Sequence, residues 1–155
     1  LRHKLATSSL EDLAKGHFSN VIDDDSVDAA AVKRIILCSG KVYYHLLEER
    51  NERGIKDIAI VRLEQLYPFP DKELDMVLAA YSNLESVVWC QEEPMNQGAW
   101  YSSQHHMRNA MQRHDSNLEL SYAGRIGSAA PASGYMSVHL EEQKQFIDEA
   151  LTFDS

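Results

Sequence analysis

Cysteine is scarce in this chain: two residues in 155, Cys38 and Cys90. Neither belongs to a CxxC pair or has the Cys/His spacing of a zinc site. Both end apolar runs, so the expectation is two buried, reduced thiols rather than a disulfide framework. Cations are also short, with 15 Lys and Arg against 24 Asp and Glu and a formal charge of −9. That deficit argues against non-specific nucleic-acid binding, which needs clustered Lys and Arg to displace counterions. It also disfavours anionic membranes. No apolar run approaches the ~20 residues of a membrane-spanning helix. No secretory leader pattern is visible, and the chain opens on Leu1 rather than Met, so it reads as a fragment. A GxGxxG turn, a Walker lysine loop and a G-x-S-x-G elbow are all missing.

What is present is a regular alternation of strand and helix patterns. The run from Leu84 to Tyr101 organises it: Val87, Val88 and Trp89 form an apolar strand without polar alternation, as in a strand covered on both faces. Glu92, Glu93 and Pro94 stop that strand, since proline cannot donate to a central ladder. Asn96 and Gly98 supply turn chemistry, and a helix is expected from about Gly98 to Arg113 with Trp100, Met107, Ala110 and Met111 facing inward. Residues 32–40 form an earlier strand that turns through Ser39-Gly40-Lys41 into a helix ending at Gly54. Asp57 to Leu66 is the next strand. Tyr67-Pro68-Phe69-Pro70 then makes a stiff extended corner, because a residue before proline avoids the helical region. Asp71 is expected to cap a helix whose inner face is Leu74, Val77, Leu78 and Tyr81. Leu118 to Ala123 is the last strand, and Ser137 is expected to cap the final helix.

Residues 1–31 read as a leading segment, with a short helix at Ser8–Ala14 and an edge strand at Phe18–Ile22. Asp23-Asp24-Asp25 reads as a solvated turn, since the ligand spacing of a calcium loop is missing. Residues 32–155 then repeat strand–helix four times. Short right-handed connections make that one α/β domain: three layers, α/β/α, around a mostly parallel sheet of four to five strands.

The search for catalytic sets is unrewarding. Glu92 and Glu93 are adjacent and point opposite ways in extended chain, so they make no acid/base pair. His105 and His106 lie about 100° apart on a helix, a poor metal pair. Carboxylates near Cys90 raise a thiol's pKa rather than activate it. Arg62, Glu64 and Gln65 interrupt an apolar strand, and two readings fit: a strand end emerging into solvent, or a subunit or domain contact. Ser39 and Lys41 open a helix whose free N–H groups suit an anion, or they are an ordinary helix start.

Three stretches together resemble a known family. They are Val61-Arg62-Leu63-Glu64-Gln65-Leu66-Tyr67-Pro68-Phe69-Pro70, then Val88-Trp89-Cys90-Gln91-Glu92-Glu93-Pro94-Met95-Asn96-Gln97-Gly98-Ala99-Trp100, then Tyr122-Ala123-Gly124-Arg125 through Ser133-Gly134-Tyr135-Met136. With Cys38–Tyr44 and Leu1–Lys4 they resemble the carboxy-terminal domain of the 2-oxoglutarate dehydrogenase E1 component, over nearly the whole chain. The resemblance implies a transketolase C-terminal-like fold with one antiparallel edge strand. It implies an enzyme that uses thiamine diphosphate and magnesium to decarboxylate 2-oxoglutarate in the tricarboxylic acid cycle and passes the succinyl unit to a lipoyl-bearing E2. The cofactor and substrate motifs of that family belong to preceding domains, so no catalytic, cofactor or metal residue is expected here.

The implied role is a scaffold that packs on the other E1 domains and helps build a homodimer, with no nucleic-acid or membrane partner. Contact residues on that reading are Arg62, Glu64 and Gln65, then Glu92, Glu93, Trp100 and Tyr101, then Arg125 and Tyr135. An alternative is a regulatory module that binds a nucleotide or acetyl-CoA type effector through Arg2, Lys4, Ser39 and Lys41. The implied location is the cytoplasm for a bacterial source and the mitochondrial matrix for a eukaryotic one.

Overall fold

The computed structural model describes residues 18–129 and 136–152, with no side-chain detail for Met136. Five strands carry the architecture: β1 (Val21–Ile22), β2 (Arg34–Cys38), β3 (Ile58–Leu63), β4 (Ser86–Gln91) and β5 (Leu120–Gly124). Four helices alternate with them: α1 (Val42–Arg53), α2 (Asp71–Ala80), α3 (Trp100–His114) and α4 (Met136–Leu151). The sheet order is β1-β3-β2-β4-β5. Four strands are parallel, and β1 alone runs antiparallel, Val21 opposite Leu63. The expected antiparallel edge strand is therefore present, shortened to two residues. The expected helix at Ser8–Ala14 lies outside the described residues.

Alternation along the strands sorts the core into two layers. Ile35, Leu37, Val61, Val87 and Trp89 face Leu74 and Leu78 of α2 and Met107, Ala110 and Met111 of α3. Ile36, Ile60, Val88 and both cysteines face Val42 and Leu46 of α1 and Phe146, Ile147 and Ala150 of α4. This is the three-layer α/β/α arrangement expected from the strand–helix repeats. From β2 the chain winds outward to β3, then returns across β2 to β4 on its other side. The two halves wind in opposite directions, so the crevice between the carboxyl ends of β2 and β4 is the topological switch point.

Helix starts differ from expectation by one or two residues. Asp71 is the first residue of α2 rather than its cap, a position that Pro70 takes. Ser137 lies inside α4, which starts at Met136. Gly54 ends α1 in the left-handed conformation at φ 65°, where a side chain would be strained, as the stop signal predicts.

The acidic turn is the larger correction. Asp24 is not solvated. Its side chain is 5% exposed and pairs with the Arg50 guanidinium, itself 2% exposed. The same carboxylate accepts the Ile60 N–H at 2.8 Å, extending the β3 ladder where β1 stops. Arg50 also donates to the Ile58 carbonyl (3.1 Å) and to Ser26 Oγ (2.7 Å). Asp23 accepts from the buried Tyr81 hydroxyl at 2.6 Å. A run of three acids reads as surface in one dimension, because the buried arginine that claims one of them lies 26 positions away.

Candidate functional site at the carboxyl edge of the sheet

Parallel strands deliver their following turns to one edge, so Ser39-Gly40-Lys41, Glu64-Gln65-Leu66, Gln91-Glu92-Glu93 and Arg125 converge there. A cleft of about 390 Å³ opens at the switch point, lined among others by Ser39, Gly40, Leu66, Gln91, Glu93 and Gly98.

Gln91 organises the cleft floor and is 2% exposed. Its Oε1 accepts from Trp89 Nε1 at 2.8 Å and from the Trp100 backbone N–H at 3.1 Å. Its Nε2 donates to the carbonyls of Glu93 and Pro94, both at 3.1 Å. Indole nitrogen is a donor only, which fixes the orientation of the carboxamide, and all four of its hydrogen-bonding positions are used. Gln91 thus caps α3 from the end of β4, in a helix whose own N-cap residue, Ala99, supplies no side-chain bond. Gly98 is small for the same reason: a Cβ there would overlap the Gln91 carboxamide. Sequence reading passed over Gln91. Its one signal was a polar residue at the end of an otherwise apolar strand.

The cationic groups of the edge are engaged with nearby carboxylates. Lys41 Nζ lies 2.8 Å from Glu92 Oε1, and His139 Nε2 lies 3.9 Å from that same oxygen. Arg125, its side chain 6% exposed, meets His139 Nδ1 and pairs with Glu142 at 3.3 Å. These contacts dock the first turns of α4 on the ends of β4 and β5. Arg62 pairs with Glu64 at 3.4 Å and stacks 4.4 Å over the Tyr43 ring. Glu93 is exposed and its carboxylate has no partner among the described residues.

Of the expected contact residues, Arg62, Glu64, Glu92, Glu93, Tyr101 and Arg125 all belong to this edge, as does Gln65, whose Nε2 braces the corner by donating to the Pro68 carbonyl at 2.7 Å. Trp100 follows its helical spacing rather than the contact role the resemblance implied: it is buried in the core layer and packs 5.1 Å from the Tyr122 ring. Tyr135 lies outside the described residues, as do Arg2 and Lys4. Lys41, expected as an effector cation, is held by Glu92.

Both cysteines are free and buried. Burial, then the neighbouring Cys90, pushes the Cys38 thiol well up. Burial, with Glu149 nearby, pushes Cys90 up to about 12. Thiols so protonated are poor nucleophiles, as the reading of Cys90 expected. No group of three or more His, Cys, Asp or Glu among the described residues is placed to hold a metal ion. The edge cleft presents amides, small residues and Glu93 rather than cations. A magnesium-bound diphosphate does not fit the described residues.

Fold and edge together define a doubly wound α/β domain with a braced strand edge whose cations are paired. Residues 7–151 match the family model described as 2-oxoglutarate dehydrogenase C-terminal. The chain belongs to that family. Its relatives include proteins named 2-oxoglutarate dehydrogenase E1 component from Azotobacter vinelandii, 60% identical over 98% of this chain, and from Haemophilus influenzae, 51% identical over 99%. A protein named oxoglutarate dehydrogenase from Buchnera aphidicola is 47% identical over 97%. The chain spans 16% of the length of each of these relatives.

Proposed function

We propose that this domain is the non-catalytic assembly part of a thiamine-diphosphate-dependent 2-oxoglutarate dehydrogenase E1 component. In that reading the complete enzyme decarboxylates 2-oxoglutarate and transfers the succinyl unit to a lipoyl-bearing E2. The domain packs on the catalytic domains and helps hold a homodimer together. Arg62, Glu64, Gln65, Glu92, Glu93, Tyr101 and Arg125 form or brace the contact edge. One observation carries the reading: the cations at the edge where a doubly wound sheet offers its ligand site, Lys41, Arg62 and Arg125, are each paired with a carboxylate. Such pairs hold backbone turns in register and leave little free positive charge for phosphate binding. The named relatives are bacterial, which supports a cytoplasmic enzyme. Among the described residues no helix is long and apolar enough to cross a membrane.

The test is direct. The 155-residue chain, supplied with thiamine diphosphate, magnesium and 2-oxoglutarate, is expected to release no carbon dioxide above blank. The full-length polypeptide is expected to do so under the same conditions. Turnover by the short chain overturns the assignment.

A further inference from the structure

The two halves of α4 are held by different means. Its buried side chains, Phe146, Ile147, Ala150 and Leu151, all lie in the second half and pack on the sheet. The Arg34 guanidinium adds to that half by donating to the carbonyls of Ala150 and Thr152. From Ser137 to Gln145 no side chain is buried, and Val138 and Leu140 are exposed. Apolar burial therefore does not hold the first half. Among the described residues, the polar contacts that tie it to the strand ends meet around His139.

His139 sits between opposite charges. Its Nδ1 meets a terminal nitrogen of Arg125, and its Nε2 lies 3.9 Å from Glu92 Oε1. A guanidinium only donates, so Nδ1 accepts and the ring proton is on Nε2. The neutral imidazole alone can make this bond. A second proton would enter at Nδ1, where it faces a cation whose side chain is buried. The imidazolium gains instead from Glu92, and closing the gap to that carboxylate draws the ring off Arg125. The charged groups facing the ring or its partners, among the described residues, come from four places. They are Arg125 after β5, Glu92 after β4, Lys41 before α1, which holds the same Glu92 oxygen at 2.8 Å, and Glu142 in the next turn of α4, 3.3 Å from Arg125.

We propose that His139 is a proton-operated latch on α4. Neutral, it ties the first half of the helix to the end of β5 through Arg125. Protonated, it leaves Arg125, and the first half of α4 opens while the second half stays on the sheet. Imidazole is the side chain whose charge ordinarily changes between about pH 5 and 8, which sets the working range. The tie is complete on the alkaline side and is lost as pH falls. The Arg125–Glu142 pair that remains reaches a side chain 39% exposed and holds weakly on its own. The latch is built from residues of this chain and stands whether or not the domain has the assembly role.

Deuterium exchange of the intact full-length polypeptide, read by mass spectrometry between about pH 8 and about pH 5.5, tests it. Amide rates are corrected for their intrinsic pH dependence. Over residues 137–144 exchange is expected to rise at least ~5-fold at the acid end relative to residues 146–151, the scale of one lost hydrogen bond. Exchange at the imidazole C2 position in the same samples gives the titration midpoint of His139, and the opening is expected to share it. His139→Gln keeps an oxygen that accepts from Arg125 but takes up no proton, so the variant is expected to show no acid opening. Constant or slower exchange over 137–144 in the parent overturns the latch. So does an opening whose midpoint lies more than ~1 pH unit from that of His139, or one that persists unchanged in the variant. The shared midpoint is read in the parent alone, so the test stands even where the variant does not fold.

Discussion

The Asp24 carboxylate and the Arg50 guanidinium form an ion pair in which both side chains are at least nine-tenths buried, and the carboxylate also takes a backbone N–H from β3. Removing one member leaves the other charged and dry. Asp24→Ala is expected to cost about 3–5 kcal/mol, measured as a shift in the urea midpoint at unchanged m-value. A cost under about 1 kcal/mol would show that the pair is solvated after all.

The same pair sets an acid limb. Burial opposes the Asp24 charge, but Ser26, the Ile60 N–H and Arg50 outweigh it, and the pKa falls below the ordinary 3.8. A depressed carboxyl pKa means the unfolded state binds the proton more readily. Its stabilising contribution is therefore complete above about pH 4 and is lost as pH falls through the folded value. Below pH 4, Asp24→Asn is expected to lose stability less steeply with acid than the parent. Parallel acid limbs in a pH series of urea melts would remove Asp24 as the cause.

Gln91 has a sharper signature. Gln91→Leu strands the Trp89 indole N–H, the first N–H of α3 and two carbonyls, and about 3–5 kcal/mol is expected to go with them. Gln91→Glu replaces donors with lone pairs facing the Glu93 and Pro94 carbonyls and is expected to be no better, despite its near-identical shape. Gly98→Ala pushes into the same carboxamide and is expected to cost about 1–3 kcal/mol. Thermal melts of the three variants check this. A Gln91→Glu protein as stable as the parent would contradict the hydrogen-bond assignment.

Tyr81 is 1% exposed, and its hydroxyl bonds Asp23. Burial first, then that bond, pushes the phenol up from its ordinary value of 10. Tyr81→Phe is expected to lose about 1–2 kcal/mol, since exposed Asp23 can turn to water. In an ultraviolet titration the variant is expected to show the same number of tyrosines ionising around pH 10 as the parent. One fewer would place Tyr81 in solvent.

Cys38 and Cys90 stand opposite one another in β2 and β4. With both thiols buried and held protonated, a thiol reagent at pH 8 is expected to find none in the native protein and two in denaturant. Prompt native modification of either would mean that the α4 layer opens readily.

Local chemistry was enough to read most of the architecture from the chain itself. Apolar runs such as Ile35–Cys38 and Val87–Cys90 announce strands covered on both faces. Gly54 and the Tyr67–Pro70 corner mark where elements stop, and strand–helix alternation leaves a parallel sheet as the economical solution. The motifs around Arg62–Pro70 and Trp89–Trp100 point to the family. Tertiary structure alone decided which polar residues lie inside. Asp24 went inward because Arg50 waited across the fold, and Gln91 because an indole, a helix start and two carbonyls converged on it. Those outcomes depend on partners far apart in sequence, and a one-dimensional pattern carries no record of which distant groups will desolvate a charge or satisfy an amide.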